Sequence, residues 1–262
     1  MRKICIINQK GGVGKTTTTV TLAHGLAQTR RVLVIDFDPQ GNSTECFGVS
    51  DEEGVYDFLI EDKDFRSCIQ IVNRNLHVLP AKENLTKAEL MLAGESSRET
   101  FLKRKLKNIE GYDYILLDCP PSLGLLNQNA LLYADEALIP TSCDSLGLDA
   151  VQKMTDAIET INDVFGHKLS VCAIVPTLYD ARLKTCREHL GLLQNTYYQL
   201  VTEPVRSNSK LRELPKSPKS IFEYAKSSNG AKDYRKVLTF VYHQDASDEE
   251  RLANLVATTQ EA

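Results

Sequence analysis

The 262-residue sequence predicts an α/β fold, a doubly wound and mostly parallel sheet with helices on both faces. Near-continuous apolar strands alternate with helical segments, as in parallel sheets that are covered on both sides. The first strand also runs directly into a helix through a glycine-rich loop at residues 10–17. No linker or internal repeat divides the chain. We therefore expect a single domain over residues 1–262, with a flexible acidic tail from about residue 244.

The predicted elements follow one another closely along the whole chain. Apolar runs bounded by turn residues predict strands at residues 3–8, 31–38, 76–80, 114–118, 136–140, 168–175 and 198–202. Segments of helical apolar spacing predict helices at residues 17–27, 55–61, 85–94, 98–110, 125–134, 148–165 and 181–194.

Composition limits the classes of protein to consider. Hydrophobic residues make up 42% of the chain and charged residues 25%, which is ordinary for a globular protein in water. No apolar run approaches the ~18 residues that span a bilayer. The seven cysteines are scattered and form no C-x-x-C pair, so we expect neither a disulfide framework nor a zinc site. Because a strand begins at residue 3, we expect no signal peptide and no N-terminal operator-binding extension. The chain is predicted to be cytoplasmic.

Residues 10–17 form a variant of the phosphate-binding pattern G-x-x-x-x-G-K-[ST]. Gln9 stands where the pattern has its first glycine, and a lysine and two glycines follow it. A strand, a glycine-rich turn and a helix start together direct backbone N–H groups and the positive helix end at an anion. We predict a nucleotide site formed by Lys10, Gly11, Gly12, Val13, Gly14, Lys15, Thr16 and Thr17.

The polar residues of this loop suit separate tasks. Lys15 can reach the β- and γ-phosphates, the Thr16 hydroxyl can bind Mg²⁺, and Thr17 can hydrogen-bond the α-phosphate. Lys10 is redundant with Lys15 in one chain, but its place at the loop entrance suits a reach to the nucleotide of a second subunit. The plain alternative is a glycine-rich turn that carries a solvated lysine.

Three aspartates lie at predicted strand ends, where doubly wound sheets bind their ligands. Asp118 is followed by a cysteine, two prolines and a serine, a rigid turn that suits contact with a γ-phosphate, and its carboxylate suits a magnesium site. Asp38 could orient the attacking water, and Asp36 could support the magnesium ion. The alternative is that these aspartates only cap the turns that follow them.

Three motifs, at residues 10–17, 36–44 and 118–122, resemble the ParA/Soj family of partition ATPases within the deviant-Walker ParA/MinD superfamily. The resemblance continues through residues 176–182 and 220–224 and covers nearly the whole chain. It implies a P-loop ATPase that uses ATP and Mg²⁺ and forms a homodimer around the nucleotides. Lys10, Lys15 and Asp38 are the implied catalytic residues. Thr16, Asp36 and Asp118 are the candidate magnesium residues, and Pro176 and Thr177 match the segment that lines the adenine.

The resemblance also implies partners. The ATP dimer of such a protein binds DNA non-specifically on the nucleoid, and a ParB-like protein stimulates hydrolysis. This cycle drives the segregation of a plasmid or chromosome. Charge supports the DNA interaction independently, because residues 204–236 contain nine basic and three acidic residues, a net +6 in a chain of net −4. The candidate DNA contacts are Arg206, Lys210, Arg212, Lys216 and Lys219. A solvated helical face is the alternative for such a charge run.

Other readings of the same loop remain open. A MinD-like membrane ATPase needs a basic amphipathic C-terminal helix, whereas residues 245–262 are acidic and weakly apolar, so we expect no membrane partner. A nitrogenase-iron-protein-like reductase needs cluster cysteines, and Cys119 has no counterpart at a second strand end. A cargo-positioning ATPase that organises protein assemblies shares the same sequence features. A nucleotide-gated scaffold with negligible turnover differs in how it would respond to Asp38→Ala.

Overall fold

The computed structural model describes residues 1–122, 124–213 and 219–243. Lys216 and the predicted acidic tail lie outside these residues. Seven strands occur in the described chain: β1 (Arg2–Ile6), β2 (Val32–Asp36), β3 (Gln70–Asn73), β4 (Leu76–Leu79), β5 (Tyr114–Asp118), β6 (Glu136–Ser142) and β7 (Ser170–Thr177). They form one sheet in the order β3-β4-β2-β5-β1-β6-β7. The pairing of β3 with β4 is antiparallel and the others are parallel, so the predicted fold class is confirmed.

Helices connect consecutive strands except β3 and β4, which a short turn joins. The α-helices of the described residues are α1 (Lys15–Leu26), α2 (Asn42–Phe47), α3 (Val55–Leu59), α4 (Phe65–Cys68), α5 (Leu85–Leu92), α6 (Phe101–Lys105), α7 (Leu125–Tyr133), α8 (Ser145–Phe165), α9 (Lys184–Thr196), α10 (Ser209–Glu213), α11 (Ile221–Tyr224) and α12 (Asn229–His243). A short 3-10 turn, Arg98–Thr100, precedes α6. None of the helices among the described residues is long and apolar enough to cross a membrane.

The core has two layers, one on each face of the sheet. Leu33 and Ile35 belong to one cluster of buried side chains, whereas Val32 and Val34 belong to the other. Since alternate residues of a strand face opposite sides of a sheet, the two clusters lie on opposite faces. This arrangement explains why the strands are apolar at every position rather than at every second one.

Several predicted boundaries differ from the structure. The predicted strand at residues 198–202 is wrong, because this segment makes only a single bridge, between Val201 and Ile174. Strand β3 was not predicted, since its residues alternate between half-buried and exposed and include polar side chains. The predicted helix at 98–110 is instead the 3-10 turn followed by α6, which ends at Lys105. Helix α8 begins earlier than predicted because Asp144 caps it, accepting a hydrogen bond from the Gly147 N–H.

The order of the strands assembles the site. β5 lies between β1 and β2, with Asp118 in register with both Ile6 and Asp36. The loop after β1, the segment after β2 and the turn after β5 therefore meet at one edge of the sheet. This edge is formed by the carboxyl ends of the strands, where the sequence predicts the nucleotide.

Candidate nucleotide site

The glycine-rich loop opens onto a cavity of about 410 Å³. Gly12 and Gly14 have positive φ values of 73° and 86°, a backbone conformation that favours glycine. Gly14 immediately precedes α1, and no side chain caps the start of that helix. The first N–H groups of a helix have no partner within the helix, so an anion in this cavity can accept hydrogen bonds from them. The loop geometry is therefore that of an anion site.

Lys15 lies beneath the cavity, with only 8% of its surface exposed. Its Nζ donates to the backbone carbonyls of Asn8, at 3.1 Å, and Lys10, at 3.4 Å. Burial lowers the pKa of Lys15, and the nearby Asp118 carboxylate opposes this effect. A bound phosphate would stabilise the charged ammonium, so the side chain suits a polyanionic ligand.

Asp118 is the centre of a buried cluster of hydroxyl groups. Its carboxylate accepts hydrogen bonds from Thr16 Oγ1 at 2.8 Å, from Thr19 Oγ1 at 3.1 Å and from Ser43 Oγ. Burial raises the pKa of Asp118, while the hydroxyl donors oppose the rise. Hydroxyl and carboxylate oxygens are the donors that Mg²⁺ prefers, so the pair of Thr16 and Asp118 has the chemistry that the predicted magnesium site needs.

Asp38 faces the cavity itself. The residue is 8% exposed and lines the cavity together with the loop and Pro121. Its Oδ1 accepts a hydrogen bond from the backbone N–H of Gln40 at 3.0 Å, which fixes the side chain within the turn after β2. A carboxylate held at the wall of the cavity suits the predicted role of orienting a water molecule.

Asp36, which is also predicted as a magnesium residue, is enclosed by hydrogen bonds within its own segment. The side chain is fully buried, and one oxygen accepts hydrogen bonds from the Thr44 N–H at 2.8 Å and the Thr44 hydroxyl at 2.7 Å. The other oxygen accepts the Asp38 N–H at 3.2 Å. Burial and the nearby Asp118 raise the pKa of Asp36. This geometry positions the segment after β2, and a supporting role of Asp36 for magnesium stays a prediction.

Lys10 is held within its own subunit. Its Nζ lies 2.8 Å and 2.9 Å from the two carboxylate oxygens of Asp144, and 2.8 Å from the hydroxyl of Ser142. Burial alone would raise the pKa of Asp144, but Lys10 and the Gly147 N–H outweigh it and lower that pKa. The Lys10 ammonium is thus directed to the end of β6 and the start of α8. A contact with a second subunit requires it to leave Asp144.

The two residues that match the adenine segment are buried in β7. The Thr177 hydroxyl lies 2.7 Å from the Val13 carbonyl oxygen and 3.1 Å from the Thr141 carbonyl oxygen, and its one proton can be donated to either. Neither Pro176 nor Thr177 lines the loop cavity. Thr177 therefore supports the loop from below, and contact with an adenine stays a prediction for both residues.

Four residues of this site were not predicted from the sequence. Ser43 lies within the motif at residues 36–44, and Thr19 follows Thr16 by three residues, which places both threonines on one helical face. A local signal was therefore available for these two. Asp144 and Ser142 lie more than 130 residues from Lys10, and no local pattern indicates that they bind it.

The candidate DNA residues divide into two groups. Arg206 forms a bidentate contact with the buried Asp233, at 2.9 Å and 2.6 Å, and Lys210 pairs with Glu213 at 2.9 Å. Within the described residues, Arg212 contacts a serine hydroxyl at 3.3 Å, and neither Arg212 nor Lys219 forms an ion pair. Arg206 is thus tied to α12, and DNA contact stays a prediction for all five residues.

Comparison with known proteins finds relatives that cover most of the chain. A family model described as an AAA domain matches residues 1–171. The chain is 37% identical over 240 residues to the chromosome partitioning protein ParA of Myxococcus xanthus, covering 89% of this chain and 85% of that protein. It is 38% identical over 241 residues to the sporulation initiation inhibitor protein Soj of Bacillus subtilis, covering 88% of this chain and 94% of that protein.

Solved structures show the same fold. The chain superimposes on cobyrinic acid a,c-diamide synthase of Mycobacterium smegmatis with bound ADP and magnesium, with a TM-score of 0.75 and 32% identity. The match covers 91% of this chain and 93% of that one. An ATP complex of a variant McdA from Cyanothece has a TM-score of 0.83 at 22% identity, over 93% of this chain and 95% of the other.

Proposed function

The chain belongs to the ParA/Soj family of partition ATPases, and on that premise we propose that it hydrolyses ATP to control its own dimerisation and its binding to DNA. The observation that carries the proposal is the loop cavity where Lys15, Thr16 and Asp38 meet. These three groups suit phosphate, magnesium and water respectively. The named relatives support ATPase activity. Dimerisation, DNA binding and stimulation by a partner protein are what we propose in addition.

ATP and Mg²⁺ are the cofactors of the proposed reaction. The loop N–H groups and Lys15 would bind the phosphates, and Thr16 and Asp118 would hold the metal. When bound, the magnesium ion neutralises charge on the β- and γ-phosphates. The related synthase structures, which contain ADP or an ATP analogue together with magnesium, support this assignment.

Hydrolysis depends on a water molecule that Asp38 orients. Among the described residues, Lys15 is the only basic side chain that lines the loop cavity. Charge that develops on the leaving phosphates is therefore stabilised by a single lysine of this subunit. Additional cations supplied in trans accelerate related phosphoryl transfers by several orders of magnitude. We infer slow basal turnover that a ParB-like partner raises.

Dimerisation is the step that Lys10 controls. With ATP bound, Lys10 exchanges its contact with Asp144 for a phosphate of the second subunit. When two proteins associate, they lose much of their translational and rotational freedom. New attractive contacts at the interface must offset this loss. Two Lys10–triphosphate contacts, one from each subunit, supply them. Loss of the γ-phosphate removes these contacts and returns Lys10 to Asp144.

The dimer then presents two copies of the basic segment at residues 204–236. Each phosphate contact releases counterions, and two linked patches bind far more tightly than one. Arg212 and Lys219, which have no acidic partner within the described chain, are the residues we assign to DNA, and Lys216 stays a candidate. We place the cycle in the cytoplasm, on the nucleoid, where it drives plasmid or chromosome segregation.

Light scattering and ATP turnover test this proposal. The 29.3 kDa chain should double in mass with Mg·ATP and stay single with Mg·ADP. Lys15→Ala should lose both ATP binding and dimerisation, whereas Lys10→Ala should keep ATP binding and lose only dimerisation. A chain that stays single with Mg·ATP, or a Lys10→Ala variant that dimerises normally, would contradict the proposal.

A further inference from the structure

A second cavity lies at the edge of the sheet opposite the glycine-rich loop. Its volume is about 520 Å³, and residues at the amino ends of β2, β4 and β5 line it. Arg31 directly precedes β2, Asn75 precedes β4, and Tyr112 lies two residues before β5. The five residues of β2 span about 16 Å, so a ligand in this cavity does not overlap the nucleotide site. Sites for small molecules commonly have volumes of about 300–1,000 Å³, a range that includes this cavity.

Hydrogen bonds hold the amino ends of these strands together. The Arg31 N–H donates to the Asp113 carboxylate at 2.7 Å, and the Arg31 carbonyl accepts the Asp113 N–H at 2.7 Å. The Asn75 side-chain amide donates to the Ala27 carbonyl at 3.0 Å, and the Asn75 carbonyl accepts the Val32 N–H at 2.7 Å. This side of the cavity is therefore formed before any ligand arrives, which lowers the entropy cost of binding.

Arginine side chains give the cavity an excess of positive charge. Arg31, Arg66 and Arg74 line it, all three are exposed, and none forms an ion pair with another described residue. The acidic residues of the lining are Asp64 and Glu110. Three guanidinium groups against two carboxylates leave a net charge of +1, which suits one phosphate group better than the several charges of a triphosphate. The planar fork of a guanidinium group matches two phosphate oxygens at once.

Another part of the lining is aromatic and apolar. The Tyr112 hydroxyl lies 2.8 Å from His77 Nδ1, and the two rings are nearly perpendicular with centroids 5.6 Å apart, so the Tyr112 ring is fixed. Phe65 and Ile109 also line the cavity and are partly buried. Burial lowers the pKa of His77, so its ring adds no positive charge near pH 7. Aromatic side chains of this kind suit a planar ring such as a nucleobase.

We propose that this cavity binds a nucleoside monophosphate. The three arginines bind its phosphate, and its base lies against Tyr112 and Phe65. Glu110, which forms no ion pair within the described chain, accepts hydrogen bonds from the ribose hydroxyls. The side-chain amide of Asn108 offers a donor and an acceptor to the edge of the base. This binding goes beyond the proposed function and is independent of it, since no residue that lines the loop cavity takes part.

Isothermal titration calorimetry tests the site. The probes are AMP, GMP, CMP and UMP, added without Mg²⁺ to the full-length Lys15→Ala variant, whose loop lacks the lysine for phosphate. We expect at least one nucleotide to bind, and inorganic phosphate and the matching nucleoside each to bind at least tenfold more weakly. Arg31→Ala with Arg74→Ala should weaken the binding of that nucleotide at least tenfold. Both side chains are exposed, so the unfolding temperature of this variant should not change.

The matched control is Lys153→Ala with Arg187→Ala, which removes two exposed cationic side chains from α8 and α9. It should bind the nucleotide as its Lys15→Ala background does. Arg66→Ala, which removes the third arginine of the cavity, repeats the test if the arginine pair proves unstable. Mg·ATP-dependent dimerisation of the unchanged protein reports separately on the proposed function.

Several results would overturn the proposal. One is the absence of binding by all four nucleotides, and another is binding that the arginine substitutions leave unchanged. Inorganic phosphate that binds as tightly as the nucleotide would indicate an anion site without recognition of the base. Nucleotide binding that Lys15→Ala abolishes would belong to the loop. Duplex DNA that binds more weakly to the arginine variant, while no mononucleotide binds, would assign the arginines to nucleic acid.

Discussion

The contact between Lys10 and Asp144 competes with the proposed dimer contact of Lys10. The substitution Asp144→Asn should therefore strengthen ATP-dependent dimerisation. The ammonium now lies 2.8 Å and 2.9 Å from a carboxylate that it must leave before it reaches a second subunit. Asparagine is nearly the same size and caps helices well, so it can keep the contact with the Gly147 N–H at the start of α8. The substitution therefore removes the charge that holds Lys10 while preserving the local fold.

The expected size of the effect follows from exposure. The side chains of Asp144 and Lys10 are 50% and 26% exposed, so solvent screens the pair, and such pairs contribute about 0.2–1 kcal/mol. Two lysines are released for each dimer, which amounts to roughly 0.4–2 kcal/mol in the association free energy. At about 1.4 kcal/mol per factor of ten, Asp144→Asn should strengthen ATP-dependent dimerisation by roughly 2- to 30-fold.

Sedimentation equilibrium with Mg·ATP measures this constant. The comparison is made in an Asp38→Ala background, so that hydrolysis does not consume the dimer. The control is Asp156→Asn on the exposed side of α8, which should leave the constant unchanged. An Asp144→Asn variant that dimerises more weakly than its background would refute the reasoning, because Asp144 would then belong to the dimer interface.

Four further predictions follow from the site and the fold. The pKa of Lys15 is lowered in the free protein, and bound phosphate raises it again. ATP affinity should therefore fall as pH rises through the pKa of free Lys15. Calorimetry in two buffers should detect proton uptake on binding at alkaline pH. Asp38→Ala should bind ATP but prolong the DNA-bound state, which a phosphate-release assay and DNA retention would check together. Arg212→Glu with Lys219→Glu should reduce DNA affinity and lower the slope of log affinity against log salt by about 4 for the dimer, which loses two contacts in each subunit, while Lys153→Glu with Lys168→Glu should change little. Gly147→Ala should destabilise the protein by about 1–3 kcal/mol in thermal unfolding, since its Cβ would lie 2.0 Å from the Ser142 carbonyl, whereas Gly191→Ala in α9 meets no neighbour and should not destabilise it.

The sequence predicts those parts of the site that are contiguous in the chain. The conformation of the loop from Lys10 to Thr17 can be predicted from its own residues, because glycines, a lysine and threonines stand at fixed spacings between a strand and a helix. Asp38 and Asp118 were also predicted, since each follows a buried apolar strand of a parallel sheet. The structure places both of them at the edge of the sheet where the loop opens.

Contacts between distant segments could not be predicted in the same way. Lys10 and Asp144 are 134 residues apart, and Arg206 and Asp233 are 27 apart, so no helical or strand period relates them. Asp36 shares its motif with Asp38, but only the folded chain shows that Thr44 occupies its carboxylate. Strand β3 could not be predicted because this short edge strand has two apolar and two polar residues, none of them fully buried, and so lacks the continuous apolar pattern of the central strands.

DNA co-sedimentation across a salt series tests the central claim most directly. The account predicts strong retention with Mg·ATP, weak retention with Mg·ADP or no nucleotide, and a steep loss of the ATP-dependent fraction as salt rises. Lys10→Ala with Mg·ATP should resemble the unchanged protein with Mg·ADP. Retention that is the same with every nucleotide, or that Lys10→Ala leaves intact, would contradict the claim that ATP-dependent dimerisation controls the affinity for DNA.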